Sequence, residues 1–325
     1  MEFTIIIIIF LILAMLIAVG IGANDETFSV VYGSKILTMK QVLIFAVILA
    51  IAGALLLGEG VAKTVGGSIL SSDIKLTEAI VITILLSTAI WLILASAFGL
   101  PISTTHATIG SIIGMGIFLG DIAGLNWGML LYLAMWWILS PVVGFVGTYV
   151  TYKILYKYKE KRLNGFQDYE GYEKKFALIV LITICITAFA RAGNDCSNAV
   201  GIVVGMENVD IDIGFLLIIT GLSLACGLVV LGRIVIQNLG EMTELRPSTA
   251  FAAQIPTAAI MLIGTLQKIP LSGSHMLVAS LVGLAKASKT PMKKGLWKII
   301  LVWILTFPVA GILAIILYFP VSAFF

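Results

Sequence analysis

The sequence "FTIIIIIFLILAMLIAVGIGAND", residues 3–25, is apolar from Phe3 to Ala23 and then ends in an amide and a carboxylate. A helix crosses the hydrocarbon core of a bilayer with about 20 apolar residues, so this run predicts a membrane-spanning helix. Glu2 stands where a signal peptide would be basic, and no small-residue cleavage site follows, so we expect the run to be retained as a span. Ionisable groups beside a span are costly and usually functional, which makes Asn24 and Asp25 the first candidate site residues.

The composition of the whole chain also indicates that lipid, not water, surrounds most of the protein. Hydrophobic residues make up 60% of the chain and charged residues 11%, with a mean hydropathy of +1.12, which excludes a soluble globular protein. Further stretches without any charged residue lie at 41–58, 79–120, 122–152, 213–232, 247–267, 269–285 and 299–325. Gly99 and Pro101 divide 79–120 into two elements. We therefore predict an all-α polytopic membrane protein with ten crossings, or eight crossings plus hairpins, because no alternating β-barrel pattern appears.

The basic residues predict the orientation in the cytoplasmic (plasma) membrane. Residues 153–175 carry seven Lys or Arg residues and residues 286–298 carry five lysines, so both segments are expected in the cytoplasm. Counting five crossings in each direction from the central segment places both termini outside. Four acidic residues then fall on the outer side: Asp121, Glu207, Asp210 and Asp212. Because topology explains the net charge of +3, we expect the lipid bilayer, and no nucleic acid, as a partner.

The chain repeats itself at a nearly constant offset. "GANDETF" at 22–28 matches "AGNDCSN" at 192–198, and "LPISTTHATIGSIIG" at 100–114 matches "IPLSGSHMLVASLVG" at 269–283. An odd number of crossings in each copy makes the copies insert upside down relative to each other, as in many secondary transporters whose substrate site lies near the midplane. We predict two inverted-topology repeats with discontinuous or re-entrant helices. The first covers 1–152 and the second 176–325, joined by a cytoplasmic loop at 153–175.

The two Asn-Asp motifs supply amide and carboxylate oxygens that suit a dehydrated alkali cation or hydrogen bonds to an anion. The predicted cation-binding residues are Asn24, Asp25, Asn194, Asp195 and Asn198. The alternative is that the pairs only cap helices and fix turns beside neighbouring glycines.

The two matched Pro-x-Ser segments predict helix starts. Proline presets the first turn and serine caps it, so free backbone N–H groups and hydroxyls are expected at each helix tip, where the helix dipole attracts anions. Two such tips facing each other would hold a tetrahedral oxyanion, although simple capping also explains them. The predicted substrate-binding residues at the tips are Ser103, Thr104, Thr105, Ser272, Gly273 and Ser274, and Asn24, Asn194 and Arg191 complete the set.

One arginine, two histidines and three cysteines in or beside the apolar runs also need an interpretation. Arg191 either attracts the anion, pairs with Asp195 or extends to the membrane interface. His106 and His275, the two histidines of the chain, occupy matched positions and are either structural or orient hydroxyls and relay a proton. The three cysteines show no metal-ligand spacing and are expected to pack in the interior: Cys185, Cys196 and Cys226.

The motifs "GAND", "GNDCSNA", "PISTTH" and "PLSGSH", together with "GSKILT" at 33–38, resemble the inorganic phosphate transporter family over essentially the whole chain. The resemblance implies cotransport of inorganic phosphate with a coupling cation, sodium or proton, and no other cofactor. It also implies re-entrant hairpins, a count of twelve crossings as a further alternative, and a homodimer. Carried over by position, the family's motif residues are Asn24, Asp25, Ser103, Thr104, Thr105, Asn194, Asp195, Asn198, Ser272 and Ser274.

The chain departs from the family pattern at two places. "GANDETFS" replaces the usual "GANDVANA", so that Phe28 stands where a second asparagine is common, and Arg191 stands where a histidine is common. Three rival functions follow from the same residues. The first is a transporter of sulfate or another tetrahedral oxyanion on the same scaffold. The second is an intramembrane hydrolase built from Ser, His and Asp, which predicts one triad rather than two matched sets. The third is a passive channel.

Overall fold

The computed structural model describes residues 2–97, 102–163, 165–206, 211–292 and 296–325, and its regular structure within these ranges is helical apart from one isolated bridge between Leu70 and Leu125. The α-helices are α1 (Glu2–Ala23), α2 (Ser29–Gly33), α3 (Met39–Gly67), α4 (Glu78–Ala97), α5 (Thr104–Gly120), α6 (Trp127–Arg162), α7 (Phe166–Val204), α8 (Ile213–Gly227), α9 (Arg233–Gly240), α10 (Pro247–Leu266), α11 (Gly273–Ser288) and α12 (Leu296–Ser322). A 3₁₀ turn at Asp121–Gly124 follows α5, and a π-helical turn at Leu228–Gly232 joins α8 to α9.

Nine helical segments of the described chain are long and apolar enough to cross a membrane, which confirms the all-α polytopic fold. Nine candidates are one fewer than the ten crossings predicted, and the number of crossings itself stays a prediction. Residues 269–285 were expected to form a span, but α11 has 16 residues, fewer than the roughly 20 that a crossing needs. Placement of the C-terminus outside depended on that tenth crossing, so the orientation of both termini stays a prediction.

Two expectations about connections have different outcomes. The stretch 79–120 does form two helices, α4 and α5, while Gly99 and Pro101 lie outside the described residues. The segment 153–175 is not an extended loop, because α6 continues to Arg162 and α7 begins at Phe166. Its lysines therefore lie on helix ends on both sides of a short turn. Of the four acidic residues predicted outside, Glu207 and Asp210 also lie outside the described residues.

The main contacts between helices occur in matched pairs: when two of these helices touch, their counterparts in the predicted repeats touch as well. α3 packs on α7 while α8 packs on α1, α5 packs on α12 while α11 packs on α6, and α4 contacts α1 and α12 while α10 contacts α7 and α6. Buried hydroxyl pairs are matched in the same way. Ser87 Oγ lies 3.1 Å from Ser111 Oγ between α4 and α5, and Thr257 Oγ1 lies 3.1 Å from Ser280 Oγ between α10 and α11. A two-fold relation requires such matched contacts, whereas the repeat boundaries and the inversion stay predictions.

The contact between α3 and α7 sets how closely the two halves approach. A Cβ at Gly66 would lie 2.0 Å from the Gly201 carbonyl oxygen, so the backbones touch there without an intervening side chain. Lipid-facing surfaces instead carry large exposed apolar side chains, such as Leu56, Leu131 and Ile138. The buried polar side chains therefore lie in the interior, where the two halves of the chain meet.

We expect Gly66→Ala to destabilise the protein and Gly67→Ala to leave its stability unchanged. The added methyl at Gly66 meets backbone atoms of α7, and such overpacking costs about 1–3 kcal/mol, whereas a Cβ at Gly67 meets nothing within 4 Å. Thermal unfolding of both purified variants in detergent measures the difference. Equal midpoints for the two variants would contradict the close approach of α3 and α7.

Candidate functional site

The first Asn-Asp pair lies in a buried turn directly after α1. Asp25 Oδ1 accepts hydrogen bonds from the backbone amide of Thr27 at 2.9 Å and from its hydroxyl at 2.5 Å. Asn24, Asp25 and Glu26 are 4%, 9% and 0% exposed. The turn therefore holds two carboxylates in the interior, and one of them, Asp25, is fixed by the turn itself.

The second set of polar residues lies inside α7, not after a helix end as in the first copy. Asn194 and Asp195 each lie three or four residues from both Arg191 and Asn198, which places all four on one side of the helix. None is more than 6% exposed. The matched motifs thus present their side chains differently, one from a turn and one from a continuous helix.

Arg191 joins these two sets. Its Nε donates to Asp195 Oδ2 at 3.0 Å, and its Nη1 donates to Glu26 Oε1 at 2.8 Å and lies 3.5 Å from Asp25 Oδ1. Its Nη2 donates to Ser274 Oγ at 3.2 Å. Of the three predicted roles for Arg191, the structure has the pair with Asp195, and burial excludes extension to the interface. Three carboxylates against one guanidinium give the group a formal charge of −2.

The tips of α5 and α11 meet beside this group, as the matched Pro-x-Ser segments predict. Ser103 and Ser272 cap their helices by accepting from the backbone amide of the third helical residue, at 3.2 and 3.4 Å. The tips also exchange hydrogen bonds. Thr105 Oγ1 donates to the Leu271 carbonyl at 2.8 Å, and Ser274 Oγ donates to the Ile102 carbonyl at 3.4 Å. Thr104, at the α5 tip, is buried as well.

Gly273 lets the guanidinium approach the α11 tip. A Cβ at this position would lie 2.5 Å from Arg191 Nε and 2.8 Å from Arg191 Cζ. A cation at a helix N-terminus faces the positive end of the helix dipole, so this position is unfavourable unless acidic groups compensate it. Glu26 and Asp195 supply that compensation through direct hydrogen bonds.

The asparagines of α7 have different surroundings. Asn194 Nδ2 donates to Thr265 Oγ1 at 3.1 Å and to the Ile269 carbonyl at 2.8 Å, and its Oδ1 accepts from the Leu271 amide at 2.9 Å. Its amide therefore ties down the linker between α10 and α11. Asn198 Nδ2 donates to Thr105 Oγ1 at 3.1 Å, while its Oδ1 is buried without a hydrogen-bond partner among the described residues. Asn24 Nδ2 is likewise buried and unpartnered there.

His106 and His275 contact each other where α5 meets α11, with ring centroids 4.4 Å apart. His106 stacks on Phe307 at 4.3 Å, and His275 lies 3.9 Å from the ring of Trp303. Both ring nitrogens of His106 and Nε2 of His275 are buried and make no hydrogen bond within the described ranges. The rings thus belong to an aromatic cluster behind the tips, and the predicted proton relay stays a prediction.

The group around Arg191 lies about midway along α3. A Cβ at Gly193, two residues after Arg191, would lie 2.7 Å from the carbonyl oxygen of Gly53, the middle residue of the 29-residue helix. Larger recesses lie at opposite ends of α3. One of about 910 Å³ is lined by residues that include Thr38 and Gln41, and one of about 640 Å³ by residues that include Gly66 and Gly67. The helix is about 43 Å long, long enough to cross a bilayer, and a site near the midplane stays a prediction.

The space at Arg191 itself is closed. The cavity there has a volume of about 10 Å³, room for about one water molecule and too small for a tetrahedral oxyanion. Its polar lining includes Thr27, Thr187, Gln254 and Thr257. An oxyanion therefore reaches this position only when the surrounding helices move apart.

Glu26 and the polar lining of this cavity are absent from the residues that the sequence predicts for the site. The signal for Glu26 was a second ionisable side chain, next to Asp25, directly after the first apolar run. Thr187, Gln254 and Thr257 are polar residues in apolar stretches, but nothing in the sequence shows that they face Arg191. All three cysteines are free. Cys196 is buried as expected, whereas Cys185 is partly exposed and Cys226 is exposed, so the expectation of interior packing is wrong for Cys226.

Comparison with known proteins gives a consistent result. The model of the phosphate transporter family matches residues 21–314. A protein of Pyrococcus furiosus named "Putative phosphate permease" is 28% identical, over 96% of this chain and 95% of that protein. A protein of Pyrococcus horikoshii that is also named "Putative phosphate permease" is 29% identical over 96% of this chain and 97% of that protein. "Inorganic phosphate transporter 2-1, chloroplastic" of Arabidopsis thaliana is 24% identical over 91% of this chain and 69% of that protein.

A solved structure described as "The sodium-dependent phosphate transporter" superposes on this chain with a TM-score of 0.86. The alignment covers 98% of this chain and 100% of that chain at 22% identity. At this level of identity the likeness shows a shared fold, which agrees with the predicted all-α membrane architecture.

We expect Asn194→Ala to loosen the linker between α10 and α11. The variant removes three buried hydrogen bonds, each worth about 1 kcal/mol, so local opening of residues 267–272 becomes easier by about 2–3 kcal/mol. Hydrogen exchange followed by mass spectrometry measures the gain at the Leu271 amide. Asn126→Ala, which removes the exposed cap of α6, is the matched control and leaves this linker unchanged. Unchanged exchange in Asn194→Ala would show that the amide does not hold the linker.

Proposed function

The chain belongs to the phosphate transporter family, and on that premise we propose that it imports inorganic phosphate across the cytoplasmic membrane in symport with sodium or protons, by alternating access. As a member of a transporter family it is a multi-pass membrane protein and not an enzyme, so the predicted hydrolase alternative falls away. The observation that carries the proposal is the buried guanidinium of Arg191 at the tip of α11, between carboxylates of both halves.

In this proposal phosphate binds between Arg191 and the paired tips of α5 and α11. The first turn of each helix directs backbone N–H groups and the helix dipole toward that space. The tip residues that would line it are Ser103, Thr104, Thr105, Ser272, Gly273 and Ser274. Arg191 adds a planar, always-charged donor set that matches phosphate oxygens.

The proposed cation site consists of Asp25 and Asp195 with the amide oxygens of Asn24, Asn194 and Asn198. The formal charge of −2 around Arg191 repels an anion in a region of low dielectric. A bound cation reduces that repulsion, so phosphate and cation bind more readily together than alone. The solved structure with the same fold is described as sodium-dependent, which supports sodium over protons as the coupling ion.

The closed cavity and the two recesses support alternating access. A site at mid-depth with larger recesses toward the two ends of α3 needs only small movements of the tips to open on either side. The matched helix contacts of the two halves would let one half rock against the other. A homodimer, which the family resemblance implies, is not required for this movement within one chain.

We expect Asp195→Asn and Asp25→Asn each to lower cation-driven phosphate uptake by about tenfold or more, because each removes one carboxylate that neutralises the coupling cation. Radiolabelled phosphate uptake into proteoliposomes, with sodium or proton gradients imposed separately, measures both the rate and the coupling ion. Asp73→Asn, at an exposed position, is the matched control with wild-type uptake. Wild-type uptake in both buried variants would remove these carboxylates from the mechanism, and no uptake by the wild type under either gradient would refute symport.

Sulfate is the nearest alternative substrate. Phosphate at neutral pH carries a proton that it can donate to a carboxylate, whereas sulfate carries none. Because three carboxylates surround Arg191, we expect unlabelled phosphate to compete with labelled phosphate at least about tenfold better than sulfate does. Equal competition by the two anions would instead favour a general oxyanion transporter.

A further inference from the structure

The contact between Glu26 and Arg191 differs from the other ion pairs of the site. Asp195 lies one turn from Arg191 on the same helix, so it moves with the guanidinium, and Asp25 Oδ1 is engaged by Thr27. Glu26 comes from the turn after α1 and reaches across to α7, where its Oε1 accepts from Arg191 Nη1 at 2.8 Å. It is thus the acidic partner whose hydrogen bond to Arg191 joins separate elements.

Glu26 is also incompletely satisfied. The side chain is fully buried, and its Oε2 has no hydrogen-bond partner in the described part of the chain. A buried carboxylate with one free oxygen costs free energy, so a purely structural ion pair would be expected to use both oxygens. The position suits a carboxylate that can leave the guanidinium.

The donors that Glu26 and Ser274 engage are the donors that an oxyanion at the α11 tip would need. Arg191 Nη1 and Nη2 point to Glu26 and Ser274, and the guanidinium lies directly over Gly273. The cavity that Arg191 and Gly273 line has a volume of about 10 Å³. An incoming oxyanion that accepts from Arg191 Nη1 therefore has to displace the Glu26 carboxylate.

We infer that the Glu26 carboxylate is a built-in substitute for the substrate anion, which occupies Arg191 in the empty carrier and is displaced when phosphate binds. The inference rests on the proposed phosphate symport. It gives Glu26 two effects. The carboxylate competes with phosphate for Arg191, and when the empty site closes it accepts the charge-assisted hydrogen bond of Arg191 Nη1 that phosphate would accept in the loaded carrier, which permits the carrier to return without substrate.

Because of these effects, two modes of transport are expected to respond differently to the loss of the Glu26 carboxylate. Net uptake requires the empty carrier to reorient in every cycle, whereas exchange of internal for external phosphate uses only the loaded carrier. Loss of the Glu26 charge slows the first mode and spares the second. A lesion that merely damaged the fold would lower both modes together.

The test compares Glu26→Gln with the wild type in proteoliposomes under the ion gradient that drives wild-type uptake. We expect net phosphate uptake to fall about tenfold, phosphate–phosphate exchange to stay within about twofold, and purified protein to bind phosphate about tenfold more tightly, since a hydrogen bond to a charged competitor is lost. Glu59→Gln, which breaks an exposed pair with Lys63, is the matched control and keeps both modes at wild-type rates.

Glu26→Asp serves as the second variant if Glu26→Gln is poorly expressed. Its carboxylate is one methylene shorter, so we expect the same direction of change with a smaller amplitude. The inference is overturned if both modes fall in equal proportion, if neither changes, or if phosphate binds more weakly to both variants. Absence of any phosphate transport by the wild type is a different result, which refutes the proposed function itself.

Discussion

The constraint on which this structure depends is the burial of one guanidinium in the middle of a membrane protein. Arg191 lies away from water at about mid-depth of α3 and has to be paired there, since an isolated buried charge would cost several kcal/mol or more. The partners come from the turn after α1, from α7 itself and from the tip of α11. The ion pairs therefore hold the two halves of the chain in one arrangement, and any movement between the halves has to change them.

The arrangement of the α5 and α11 tips favours the binding of an anion. Each tip is capped by its own serine, and each donates one hydroxyl to a carbonyl that precedes the other tip. These reciprocal bonds bring two positive helix ends together, where the nearest cation, Arg191, is balanced by an excess of carboxylates. Under the proposed mechanism, phosphate would supply the negative charge at the tips and the coupling cation would balance the carboxylates.

Much of the fold followed from the sequence because its signals are local. Charge-free runs predicted most spans, and the Pro-x-Ser segments predicted the starts of α5 and α11. The sequence failed where tertiary packing decides. It predicted a full span at 269–285, whereas residues 269–272 form a linker bonded to Asn194 and α11 has 16 residues, and hydropathy shows neither feature.

The same limit explains the site. Repetition identified Asp25 and Asp195, because matched polar residues in apolar runs are visible in a single sequence, and Arg191 was visible as a charge directly before the second motif. Glu26 lies beside Asp25, yet only the path of the turn shows that its carboxylate reaches a residue on α7. Thr187, Gln254 and Thr257 become part of the site only through the packing of α7 and α10. Pairing across elements has no local signature, so the sequence cannot predict it.

The most direct measurement is an experimental structure of the protein with phosphate bound. The account predicts a tetrahedral anion between Arg191 and the first turn of α11, with the Glu26 carboxylate moved away from Arg191 Nη1. An anion bound only in a recess at one end of α3, with the Arg191–Glu26 pair intact, would contradict it.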